Sequence, residues 1–192
     1  MENRAEHYYN EGFDFFQQGH YSEALTSCDK AIAINPDYAD AWNGRGVALD
    51  ELGRHAEALG SYDKAISIRP DYADAWNNRG WALVELGRLA EAIDSYDKGL
   101  AINPDDASAW FIRGAGLGIL GQPAEALASF DKAIAISPDD AYAWNFRGVA
   151  LYELGRYTEA VASYDKAIAI NPDYAEVKQN RKIALKKQSK NP

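Results

Sequence analysis

From Asp71 to Leu86, Ala75, Trp76, Gly80 and Leu83 fall at the three-and-four spacing of a helix that buries one stripe, with Arg79 on the same stripe. Polar side chains fill the opposite face. The segment predicts a helix with Asp71 as its N-cap and Asp74 as the reciprocal member of a capping box, Pro70 barring extension upstream. Gly87 stands where a left-handed terminal residue costs least. A second amphipathic run goes from about Ala90 through Ile102 with Ala92, Ile93, Tyr96 and Leu100 inward. It ends at Asn103-Pro104-Asp105, because a proline disfavours helix in the residue before it.

This two-helix pattern recurs. Prolines stand at Pro36, Pro70, Pro104, Pro138 and Pro172, each 34 residues after the last, and tryptophans keep step at Trp42, Trp76, Trp110 and Trp144, with Tyr8 in the first slot. A fixed period of this length means a solenoid in which each unit stacks on its neighbours. The expected class is all-α: one domain over residues 1–192, built of repeats 5–38, 39–72, 73–106, 107–140 and 141–174 with a capping helix at 175–188. Gly46, Gly80, Gly114 and Gly148 sit mid-helix, where each costs roughly 1 kcal/mol relative to alanine. Ala58, Ala92, Ala126 and Ala160 follow at the same phase, so close approach of two helix backbones is the expected reason. The closing segment keeps an inward stripe of Val177, Arg181, Ala184 and Leu185 while its outer face turns polar, as the last unit of a solenoid requires.

The landmarks W-x-x-R-G-x-x-L, then A-x-x-x-Y/F, then A and P, resemble the tetratricopeptide repeat over residues 5 to 174. The first unit departs most, with Tyr8 for tryptophan and Cys28 where the others carry Tyr62, Tyr96, Phe130 and Tyr164. Arg45, Arg79, Arg113 and Arg147 stand where the family has an aliphatic residue, and every second helix carries an acid: Asp29, Asp63, Asp97, Asp131 and Asp165. Pairing inside a unit would set Asp29 against Glu11, whereas pairing with the following unit gives each aspartate an arginine, Arg181 serving the last. An arginine-aspartate ladder between consecutive units is therefore expected, fixing stacking geometry more than adding stability.

The resemblance implies a right-handed superhelix whose first helices line a groove that receives a partner peptide or helix. On that alignment Asn43, Asn77, Asn78 and Asn145 face the groove, with Asp40 and Asp74 near one edge and Glu51, Glu85 and Glu153 near the other. Asparagine amides suit capture of a peptide backbone. The fourth unit breaks the polar pattern with Phe111, Ile112, Ala115, Gly118 and Ile119; with Trp81, Val84, Phe146, Val149 and Tyr152 these make an expected apolar and aromatic patch for a partner. Members of the family that bind acidic tails do so through a clamp of lysine and asparagine, and the corresponding helices here carry Tyr9, Phe13, Asn43 and Asp74 with no lysine, so acidic tails are expected to be rejected. The expected ligand is an apolar or aromatic segment with basic flanks.

Composition narrows the alternatives. A net charge of -9 and a pI near 4.8 disfavour nucleic acid and anionic membranes as partners. No leader-like or membrane-spanning run is evident, so the location expected by default is cytoplasmic. Cys28 is the single cysteine, which excludes an intramolecular disulfide and reads as a small buried side chain. His7, His20 and His55 lack metal-ligand spacing, and the glycine pairs near Gly44 and Gly114 lie within helices rather than in a phosphate-cradling loop. Neither a metal nor a cofactor is expected, and an interaction scaffold is expected over an enzyme. The competing reading is a structural module that assembles with copies of itself.

Overall fold

The computed structural model describes residues 2–189. Those residues form eleven helices and no strand: α1 (Glu2–Gln17), α2 (Tyr21–Ile34), α3 (Ala39–Glu51), α4 (His55–Ile68), α5 (Ala73–Glu85), α6 (Leu89–Ile102), α7 (Ala107–Ile119), α8 (Pro123–Ile136), α9 (Ala141–Glu153), α10 (Tyr157–Ile170) and α11 (Ala175–Gln188). The chain is an all-α repeat solenoid of helical hairpins. It divides at Pro104 into two compact units, the first carrying α1 to α6 and the second α7 to α11. Within each unit a first helix packs on its own second helix, and that second helix packs on the next first helix.

Each hairpin turn is made by a glycine with φ between 72° and 76°: Gly19, Gly53, Gly87, Gly121 and Gly155. This is the left-handed conformation that a side chain disfavours. The shared register of proline and tryptophan also has a bond behind it. The Trp42, Trp76 and Trp144 indoles donate to the carbonyls of Pro36, Pro70 and Pro138 at 2.8 to 3.0 Å, tying each first helix to the loop that feeds it.

Two expectations need correction. Asp71 does not cap α5: the N-cap is Tyr72, without a side-chain cap bond, and Tyr38 and Tyr174 do the same for α3 and α11. Only where aspartate replaces that tyrosine is there a side-chain cap. Asp106 accepts from the Ala109 N–H, and Asp140 from Tyr142 and Ala143. The mid-helix glycines make room for an aromatic ring rather than for an alanine-lined backbone. A Cβ on Gly46 would lie 2.4 Å from the Tyr62 ring, and Gly80, Gly114 and Gly148 stand in the same way against Tyr96, Phe130 and Tyr164. These rings are the largest buried side chains of their hairpins, so the glycine is what lets a six-membered ring fill the core.

The arginine-aspartate ladder is present inside both units. Arg45 meets Asp29 and Arg79 meets Asp63 in the first; Arg147 meets Asp131 and Arg181 meets Asp165 in the second, at 2.5 to 2.8 Å. A serine joins the arginine of each of repeats two to five: Arg45, Arg79, Arg113 and Arg147 donate to Ser61, Ser95, Ser129 and Ser163, all fully buried. Those hydroxyls in turn donate to the carbonyls of Glu57, Glu91, Glu125 and Glu159 one helical turn back. In the first hairpin the polarity is reversed, and Ser27 donates to Glu11, the residue in the arginine slot. The cap helix α11 buries Val177 and Ala184, whereas Leu185 is exposed, contrary to its expected inward place.

Candidate functional site

Consecutive first helices touch within each unit, α1 with α3 and α3 with α5 in the first, α7 with α9 and α9 with α11 in the second. The residues singled out for partner binding belong to these helices, though not all of them reach the face the helices present. In the second unit that face is apolar. The rings of Phe111, Phe130 and Phe146 form one cluster, Phe111 meeting Phe146 edge-on at 5.4 Å and Phe130 at 5.8 Å. Phe111 and Ile112 are half-buried, Phe111 held by its two ring partners. Ile119 is the projecting residue, 72% exposed.

Beside the cluster lies a cleft of about 180 Å³ lined by Ala115, Gly118, Ile119, Pro123, Phe146 and Val149, with Glu153 at its rim. Comparison with the other hairpins explains why it is open. At the corresponding places the first hairpin sets Phe16 tilted against Tyr21 at 5.4 Å, the fifth sets Tyr152 edge-on to Tyr157 at 5.3 Å, and the second joins Asp50 to His55 at 3.0 Å. The fourth hairpin has Gly118 and Pro123 there, and a Cβ on Gly118 would meet nothing within 4 Å. The cleft is thus the volume of a side-chain pair that this hairpin lacks.

The asparagines behave differently from expectation. Asn145 is buried, its amide donating to the Tyr174 hydroxyl and its carbonyl accepting from Asn180, so it is not a surface for capturing a peptide backbone. Asn78 donates to Asn43 at 3.1 Å, tying α5 to α3. Asn77 lies against Gly99, where a Cβ would come within contact of the Asn77 carbonyl oxygen. A register between helices is needed to see that these amides serve each other, and sequence spacing alone does not supply it.

The first unit has a more polar face. Trp81 is 46% exposed and Val84 half-buried. Trp81, Asp50, Glu51, Glu85 and His55 line a pocket of about 340 Å³. Asp50 accepts from the Tyr62 hydroxyl at 2.7 Å as well as contacting His55, and burial, only partly offset by these two bonds, pushes its carboxyl above the usual range. Asp40, expected as a free acidic edge, is instead held by both Nη groups of Arg69. Burial would raise its carboxyl, but the bonds from Arg69 and Tyr72 outweigh it and the net shift is downward. Cys28 is buried, and burial together with nearby Asp29 pushes its thiol up to about 12, so it is neutral at physiological pH.

No group of three or more metal-ligating side chains occurs among the described residues, and none of their helices is long and apolar enough to cross a membrane.

Comparison with known proteins agrees with the architecture. Family descriptions of the tetratricopeptide repeat match residues 9–73 and 120–175, and a second one matches 73–106. The curated protein MJ0572 of Methanocaldococcus jannaschii is 41% identical over 46 residues, a segment spanning 24% of this chain and 54% of that protein. Among solved structures, YrrB, described as a tetratricopeptide repeat protein with an unusual peptide-binding site, is 26% identical with a TM-score of 0.80 over 91% of this chain and 90% of its own. The MamA protein gives a TM-score of 0.81 at 23% identity over 92% of this chain and 96% of its own. A repeat protein from Parabacteroides merdae gives 0.80 at 23% identity over 98% of this chain and 75% of its own.

Proposed function

Because the chain belongs to the tetratricopeptide repeat family, we propose that it is an interaction scaffold that holds a partner segment against its first-helix face. The observation that carries this reading is the open apolar cleft of the fourth hairpin. Gly118 and Pro123 remove a pair of side chains that the repeat elsewhere supplies, and Ile119 stands exposed beside the vacated volume. A contiguous apolar hollow with aromatic walls gives an incoming side chain area to bury, and a few such anchors dominate affinity at interfaces. The peptide-binding description of YrrB, similar to this chain over most of its length, supports the same reading.

The ligand is an apolar or aromatic segment with basic flanks, since Glu153 borders the cleft and the chain is acidic overall. The same negative charge speaks against nucleic acid. A cytoplasmic setting suits a module with these properties.

The test is selection of peptides from a random library on the immobilised chain, followed by calorimetric titration of the winners. Ile119→Asp should weaken a selected peptide at least about tenfold, a loss of about 1.4 kcal/mol, with the helical circular dichroism unchanged. Equal affinity for parent and variant, or no selectable peptide, contradicts the proposal.

A further inference from the structure

The first unit holds a second hollow, which the sequence pattern did not single out. It is a cleft of about 170 Å³ walled by Tyr9, Phe13, Phe16, Cys28, Gly44 and Val47, between α1 and α3. Its origin is visible in the repeat itself. Three periods later the places of Cys28 and Gly44 belong to Phe130 and Phe146, whose ring centroids lie 5.9 Å apart. The second and fifth hairpins keep a ring at the Cys28 place, Tyr62 and Tyr164, against their own glycines. The first hairpin retains its glycine, Gly12, but a Cβ there would meet no ring: its nearest neighbours are the Ala24 carbonyl at 3.2 Å, the Cys28 Sγ at 3.3 Å and the Ser27 Cβ at 3.4 Å. A thiol therefore stands where the repeat elsewhere lays a ring over its glycine, Gly44 abuts that thiol and the Tyr9 ring, and Phe13 and Phe16, at the places of Ala115 and Gly118, wall the hollow that remains. Phe13, 54% exposed, stands at the mouth.

Val47 lines both this hollow and the pocket that contains Trp81, Asp50, Glu51 and Glu85. That neighbouring pocket is acidic with an exposed indole, a setting that favours a cation through both charge and the ring face. Arg45 and Arg79 lie on the same helices but are turned away to Asp29 and Asp63, so they do not neutralise it. The geometry points to a bipartite docking site in the first unit: a socket at Cys28 and Gly44 for one aromatic side chain of a partner protein, joined through Val47 to a seat at Trp81, Glu51 and Glu85 for a lysine or arginine beside it. This rests on the first-helix face being the binding face, and it names different residues and a different unit from the Ile119 cleft.

The experiment titrates isotope-labelled protein with acetylated, amidated synthetic peptides. Each carries one Phe and one Lys separated by zero to three glycines, and the readouts are the Gly12 and Gly44 amides and the Trp81 indole N–H. At least one spacing should saturate, moving all three signals, and replacing Phe by Ala or Lys by Glu should weaken it about tenfold or more. Cys28→Tyr restores the repeat's own ring over Gly12 and should abolish binding without lowering the melting temperature. If that variant does not fold, Gly44→Phe closes the socket from the other wall.

Failure of every peptide to saturate, or unchanged binding by the plugged variant, overturns the inference. If the library-selected peptides still depend on Ile119 in that case, the scaffold reading stands and only this site falls.

Discussion

Replacing Gly46 by alanine sets two opposing effects against each other. An exposed helix position would gain about 1 kcal/mol from the substitution. Here the new Cβ would lie 2.4 Å from Tyr62 Cε1 and 2.8 Å from two further ring atoms, well inside van der Waals contact. The ring cannot swing aside, because it is 1% exposed and its hydroxyl is held by Asp50 at 2.7 Å. Overpacking a filled core costs about 1–3 kcal/mol, and a methyl driven into a fixed ring belongs at the upper end. The net expectation is a loss of about 2 kcal/mol, or roughly 1 M in the urea midpoint for a slope of about 2 kcal/mol per molar. Gly60→Ala is the matched control: Gly60 is also inside a helix, with nothing within 4 Å of its would-be Cβ, so it should stabilise by about 0.5–1 kcal/mol. Urea denaturation followed by circular dichroism reads both. If the two variants shift the midpoint in the same direction, the ring-on-glycine account of the repeat is wrong.

Asp140→Ala should cost about 1 kcal/mol through loss of its cap bonds to α9, whereas Asp71→Ala, which caps nothing through its side chain, should change the melting temperature little. A double-mutant cycle of Arg79→Met with Asp63→Asn should give a coupling of only about 0.2–1 kcal/mol, because the aspartate is more than half exposed. Arg79→Met alone should cost more than Asp63→Asn, since it also strips the buried Ser95 of a partner. Asp50 binds its proton more tightly folded than unfolded, so its contribution declines as pH rises from the ordinary carboxylate value through its raised one. Asp50→Asn should therefore gain stability relative to the parent across that acidic window in denaturation measured pH by pH. A parallel pair of curves would contradict the raised value.

The period, the helical hairpins and the inter-hairpin arginines are legible in the sequence because each recurs in register and each rests on local spacing. What escaped it depends on which residues meet across helices. The glycines were paired with alanines twelve residues on, while the contact is with rings sixteen residues on, since the long aromatic side chain reaches a turn further along the partner helix. The serine that meets the arginine recurs in register from the second repeat to the fifth, and that recurrence was the available signal. Phe111 was expected as a projecting anchor, yet its neighbours Phe130 and Phe146 draw it into a cluster and leave Ile119 outermost. Tyrosine at the N-cap of α5 could not be read from propensity, because the proline-led turn fixes the start of the helix and the preceding aspartate is left outside it.

The scaffold account is tested most directly by mapping where a selected peptide sits on isotope-labelled protein. Shifts concentrated at Ala115, Gly118, Ile119 and Val149 are the predicted result. A saturable footprint confined to the outer surface of the second helices, around Ala128 and Lys132, would contradict it.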